Sequence, residues 1–260
     1  MDSKLLKELN ARKPIPLNEQ KTYLKALLYG DWGVGKTTLA CSSGKPTLLI
    51  TSGDGGESTL LDYPEYRDLT TVVQSHGLSH IKAIFKAIEE GLPDYSSYSV
   101  VVIDTISSIC DQYLRNLVDH YQVNKDRHTA KPRKSGEILE AEGMGDYKFL
   151  ANHVRDLAPV SIAAPVDVIW LSHEREPSFM EKDKGQYLTR PKMPEKAADA
   201  IAEVCHLVGL YEKKRKGTKV ERTLKFEGSD RLAAKSRIKA LENKTIPVED
   251  FWKTVEEWRN

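Results

Sequence analysis

Residues 30–37, Gly30-Asp31-Trp32-Gly33-Val34-Gly35-Lys36-Thr37, constrain this chain more than any other feature. They satisfy GxxxxGK[ST] at every fixed position. The flanks carry the required context, with a mostly apolar run at 23–29 before the loop and a helical segment from Lys36 to Cys41 after it. Glycine lets backbone N–H groups turn inward around phosphate oxygens, because no Cβ obstructs the turn. The start of the following helix adds favourable partial charge. Lys36 is then placed to reach the β- and γ-phosphates, and the Thr37 hydroxyl to ligate Mg²⁺. The spacing predicts that Gly30, Asp31, Trp32, Gly33, Val34, Gly35, Lys36, Thr37 and Thr38 together hold ATP with Mg²⁺.

A phosphate loop needs a carboxylate partner. Asp104 follows four apolar residues, Val100 to Ile103, so it ends a buried strand at the sheet edge where open α/β folds bind ligands. There it can hold Mg²⁺ through water; its alternative role is to cap the helix that begins near Ile106. Two strands, 47–51 and 69–74, intervene in sequence between the loop and Asp104. In such an order a carboxylate commonly polarises the attacking water. Asp54 and Glu57 are the candidates, with ordinary turn chemistry as the alternative. His173 belongs to the polar pair that follows the strand run 166–171 at the same sheet edge. It is a candidate to sense the γ-phosphate, or else a strand-end histidine bonded to backbone.

Strands alternating with helices over the first ~170 residues imply an α/β fold, a mainly parallel sheet flanked by helices. Segments 206–211 and 221–226 read as a hairpin, an antiparallel extension near the C-terminus. The pattern divides the chain into an N-terminal arm (1–20), a core (21–245) and a C-terminal helix (246–260), with helical character from Thr245 to Trp258. Leu232 to Ile238 reads as a further strand. No apolar run reaches the ~18–20 residues that would cross a bilayer. The N-terminus lacks an apolar signal core. Cys41, Cys110 and Cys205 lie far apart in apolar surroundings, as reduced core thiols would, and point to the cytoplasm.

Net charge is only +1, but its distribution is uneven. Segment 123–134 carries five basic residues and one acidic, and segment 213–219 carries five basic and none acidic. Either is a candidate nucleic-acid contact or a solvated loop tip.

Four stretches, LLYGDWGVGKTTLA, TSGDGGESTL, VVVIDTISSI and VIWLSHERE, resemble in this order the RecA-like recombinase core, most closely the compact phage-encoded ATPases of the Sak type. RLAAKSRIKAL and EKAADAIAEVCHLVGLY extend the resemblance, which covers roughly 24–241. The family carries a turn such as DTEGG after its second strand; here SGDGG puts the shorter Asp54 in place of glutamate. The resemblance implies ATP hydrolysis in a homo-oligomeric ring or filament with shared active sites, where Lys235 and Arg237 face a neighbour's γ-phosphate. It also implies two loops facing single-stranded DNA. The first, 124–145, offers Lys125, Arg127, Lys131, Arg133 and Lys134. The second, 174–194, offers Lys182, Lys184, Arg190 and Lys192, with Phe179 and Tyr187 as stacking rings. The expected role is phage recombination or repair in the host cytoplasm, alongside a single-strand-binding protein. The rival expectations are a replication helicase or loader, and a small-molecule kinase.

Overall fold

The apolar run before the phosphate loop becomes β1 (Lys25–Gly30), buried at all six positions. The computed structural model describes residues 16, 19–124, 144–177, 181 and 188–260. Short helix α1 (Lys36–Cys41) follows the loop. Then come β2 (Thr47–Thr51), a 3₁₀ segment (Gly56–Asp62), α2 (Pro64–Arg67), β3 (Thr70–Gln74), α3 (Leu78–Glu89), β4 (Val100–Asp104) and α4 (Ile106–Asn124). Helix α5 (Met144–Ala163), β5 (Asp167–His173), α6 (Glu195–Val204), β6 (Leu207–Lys216) and β7 (Lys219–Lys225) continue the chain. It ends with β8 (Lys235–Ser236), β9 (Thr245–Pro247) and α7 (Phe251–Arg259).

The sheet runs β3-β2-β4-β5-β1-β6-β7-β9, with β8 also paired to β6. Its first six members pair in parallel, and β7, β8 and β9 join antiparallel. This is the predicted architecture. The central strands are apolar throughout because both faces are covered. On one face α3, α4, α5 and α6 bury Phe85, Ile109, Leu150 and Ala197 around Trp170. On the other, α1 and α7 bury Leu39, Phe251, Trp252 and Val255 against β1, β4 and β5.

Two buried charges fasten the strand that carries the phosphate loop. Lys25 is 3 % exposed. Its Nζ donates to the carbonyls of Ala164 (3.0 Å) and Val166 (2.7 Å), just past the end of α5. Asp167 accepts from the Leu24 amide at 2.8 Å and pairs with Arg259 at the end of α7.

Three boundaries differ from the sequence reading. Residues 245–247 are a strand, not the start of the last helix: Leu224 pairs with Ile246 and Thr223 with Pro247. β-branched Thr245 and Ile246 suit that edge. The acidic pair Glu249 and Asp250 lies in a 3₁₀ turn, and the helix begins at Phe251. The strand expected over 232–238 shrinks to Lys235–Ser236, because the chain changes partners along it: the Ala233 amide bonds to Thr189 and the Arg237 amide to His206. The sequence reads as a helix over 147–157, and α5 runs on past Leu157, accommodating Pro159 at the loss of one ladder bond. Residues 1–15, 17 and 18 of the expected arm lie outside the described residues.

Candidate active site

The loop's shape depends on its glycines. A Cβ on Gly30 would lie 2.3 Å from the Tyr211 carbonyl oxygen, so only glycine lets β1 and β6 meet there. Gly33 (φ 66°) and Gly35 (φ 110°) are left-handed, a conformation other residues rarely adopt. Val34 is buried, Thr38 half-buried, and Asp31 turns its Oδ1 to accept from the Trp32 amide at 2.8 Å. Lys36 is buried; its Nζ donates to the Gly30 and Asp31 carbonyls at 3.0 and 2.7 Å. Burial lowers its pKa, against the charges of Asp104, Asp31 and Glu174.

β5 lies between β1 and β4, so the carboxyl ends of all three converge. From α1 the Thr37 hydroxyl donates to Asp104 Oδ2 at 2.5 Å. Asp104 is 4 % exposed. Burial pushes its carboxyl up to about 6; the Thr37 bond opposes this and the charges of Asp54 and Glu57 add to it. A Cβ on Gly56 would sit 3.3 Å from Asp104 Oδ2, 3.7 Å from Thr37 Oγ1 and 3.8 Å from Asp54 Oδ1. Glycine thus keeps open a space bordered by three oxygens. A hydroxyl and two carboxylates are hard donors of the kind Mg²⁺ takes together with phosphate oxygens. Among the described residues no cluster of three or more His, Cys, Asp or Glu is arranged to hold a metal by itself. Phosphate oxygens would have to complete the shell.

The two candidate bases are held differently. Asp54 Oδ2 accepts from Ser108 at 3.1 Å, leaving Oδ1 beside the space next to Asp104. Glu57 Oε2 accepts from Thr51 at 3.2 Å. His173 lies level with Gly30 in the register, and its amide donates to Ser107 Oγ at 2.8 Å. Burial and the cations of Lys36 and Lys192 hold the ring below the usual histidine range, so it is neutral at pH 7.

Lys235 and Arg237 occupy the other end of the sheet. β8 pairs with the first residues of β6, whereas the phosphate loop leaves the carboxyl end of β1. Alternate residues share a face, and both side chains reach the Glu203 carbonyl, at 3.4 and 2.7 Å. They cannot meet nucleotide on their own loop. Of the DNA candidates, Lys125, Arg127, Lys131, Arg133, Lys134, Lys182 and Lys184 lie outside the described residues, as do Phe179 and Tyr187. Arg190 pairs with Glu195 at 2.8 Å, its side chain 20 % exposed; Lys192 is more open and lies 3.4 Å from Asp111.

Sequence reasoning assigned no role to Ser108, whose only signal was its place just after Asp104. It also gave none to Tyr211 and Arg222, and took Lys213 only as part of the basic run 213–219. These three sit against the outer side of the loop from a hairpin about 180 residues away, beyond the reach of any local pattern.

A family model described as an AAA domain matches residues 22–238. No curated protein sequence matches the chain. Among solved structures, a KaiC-like protein from Pyrococcus horikoshii OT3 is 15 % identical, covering 85 % of this chain and 83 % of that one, with a TM-score of 0.48. The RadB recombinase is 14 % identical over 85 % and 84 % of the two chains, with a TM-score of 0.43. Among the described residues no helix is long and apolar enough to cross a membrane.

Proposed function

We infer that this protein, which belongs to the AAA-domain family, is a RecA-like ATPase that hydrolyses ATP-Mg²⁺ and acts on single-stranded DNA. The observation that carries the reading is the space beside Gly56, bordered by Thr37, Asp104 and Asp54 at the mouth of the phosphate loop. Bound there, Mg²⁺ would supply positive charge to the β- and γ-phosphate oxygens. The loop's amides cradle the phosphates, and Lys36 swings from the Gly30 and Asp31 carbonyls to the β- and γ-oxygens. Asp54, oriented by Ser108, accepts a proton from the attacking water. Neutral His173, level with Gly30, contacts the γ-phosphate and passes its loss to the segment that follows β5.

The finer reading is a phage protein of the Sak type. It works in recombination or repair in the host cytoplasm, with a single-strand-binding protein as partner. Subunits form a ring or filament in which Lys235 and Arg237 complete a neighbour's site. The resemblance of the sequence supports this, as does the placement of both cations away from their own loop. Turnover measured with and without single-stranded DNA tests it. Strong stimulation is the expected result. Unstimulated turnover with phosphoryl transfer to a small acceptor would replace the reading with a kinase, and ATP-driven strand separation would replace it with a helicase.

A further inference from the structure

The basic run at 213–219 belongs to a hairpin that overhangs the phosphate loop. Leu210 is level with Tyr29, so the rest of β6 projects past the carboxyl end of β1, returning through a turn at Gly217 into β7. The register divides the charges between two faces, since directly opposed residues share a face. Glu212, Lys214 and Lys216 on β6 stand opposite Thr223, Glu221 and Lys219. Both carboxylates of the hairpin lie on that face and engage three of its four lysines: Glu212 pairs with Lys214 (3.0 Å) and Lys225 (2.8 Å), and Glu221 with Lys216 (2.8 Å).

The other face carries Tyr211, Lys213 and Arg215 opposite Leu224, Arg222 and Val220. Among the described residues no carboxylate pairs with Lys213, Arg215 or Arg222. All three are exposed. This face turns toward the phosphate loop. Lys213 Nζ lies 3.4 Å from the Gly33 carbonyl, Arg222 Nε donates to the Val34 carbonyl at 3.3 Å, and the Tyr211 hydroxyl is 3.0 Å from where a Cβ on Gly35 would sit. Beside the carbonyl that Lys213 contacts is Trp32, 81 % exposed. The other tryptophans, Trp170, Trp252 and Trp258, are buried or half-buried in the cores.

We propose that Trp32 and the Lys213–Arg215–Arg222 face of this hairpin form a binding surface for single-stranded nucleic acid, distinct from the two loops implied by the resemblance. Unpaired cations beside a solvent-facing ring match a polymer whose phosphates meet the cations and whose bases stack on any aromatic plane. An acidic polypeptide such as polyglutamate would satisfy the cations but offer no flat base to stack on the ring. The proposal rests on the single-strand reading only for the identity of the polymer. The cations that would meet the strand also contact the outer carbonyls of the phosphate loop, at Gly33 and Val34.

The test uses the full chain without ATP, an unlabelled oligothymidylate and tryptophan emission. Wild-type emission is quenched on binding, and Trp32→Phe removes the quenching. Two double variants carry the same change in net charge, Lys213→Gln with Arg215→Gln on one face, and Lys214→Gln with Lys216→Gln on the other. The first pair is expected to weaken binding at least tenfold and to flatten the slope of log affinity against log salt by ~1.4, two contacts at ~0.7 each. The second leaves the slope unchanged. Equal loss from both faces, binding unaffected by the first pair, or polyglutamate competing as well as oligothymidylate at equal charge overturns the proposal. Absence of binding by the wild type overturns the single-strand reading as well.

Discussion

Replacing Lys25 with methionine isolates the electrostatic cost of starting the phosphate-loop strand with a buried cation. Burial is the largest influence on this lysine and lowers its pKa from 10.5 to about 8, against the charges of Asp167 and Cys205. At ~1.36 kcal/mol per pH unit, that interval amounts to about 3 kcal/mol of destabilisation while the lysine is charged. Lys25→Met removes this cost but strips the Ala164 and Val166 carbonyls of their donor, at about 1 kcal/mol or more apiece. At pH 7 the two effects nearly offset, and the proteins should unfold within ~1–2 kcal/mol of one another. Above pH 8 they part. The unfolded chain still binds the proton while the folded lysine has released it, so the contribution of Lys25 to wild-type stability rises with pH up to 10.5. A neutral amine still donates to both carbonyls. Urea unfolding of both proteins from pH 7 to 10.5 should show the difference growing by up to about 3 kcal/mol in favour of wild type; taking the difference cancels the alkaline titrations that do not interact with Lys25. A difference that stays flat across that range refutes the argument.

Lys36→Ala should fold normally and lose at least ~10²-fold in kcat, because the loop's only ammonium is gone; a folded variant with wild-type turnover refutes this role. Asp54→Asn should lower kcat by ~10²–10⁴ with little change in nucleotide affinity, whereas Glu57→Gln, which Thr51 holds, should cost far less. The reverse order in steady-state assays would move the base to Glu57. Arg237→Ala mixed with Lys36→Ala should regain turnover, because one mixed boundary has both sides whole. No rescue despite demonstrated co-assembly would place Arg237 outside any shared site.

The phosphate loop is legible in one dimension because its chemistry resides in backbone geometry, and glycine at fixed spacing is the only way to write that geometry. Asp104 is legible for a related reason: four apolar residues before a carboxylate place it at the end of a strand covered on both faces. What sits around them is not. The resemblance puts Asp54 in the place of a glutamate but leaves Glu57 as the alternative, and only the fold shows Asp54 sharing the Gly56 space with Thr37 while Glu57 is tied to β2. The requirement for glycine at position 30 comes partly from Tyr211, whose carbonyl blocks any larger residue. Residues 245–247 mislead because proline followed by acids imitates a helix start, while pairing with β7 decides the outcome.

The separation of the phosphate loop and the Lys235–Arg237 pair to opposite ends of one sheet has a consequence for counting. Subunits that join cation end to loop end make a heterologous contact, in which one surface of each molecule meets a different surface of the next. An open chain of n subunits then holds n − 1 complete sites, with one loop and one cation pair idle at its tips, whereas a closed ring wastes none. Activity per subunit would therefore measure the length and closure of the assembly. Short oligomers would be penalised in proportion to their exposed ends, with no change in the chemistry at any single boundary.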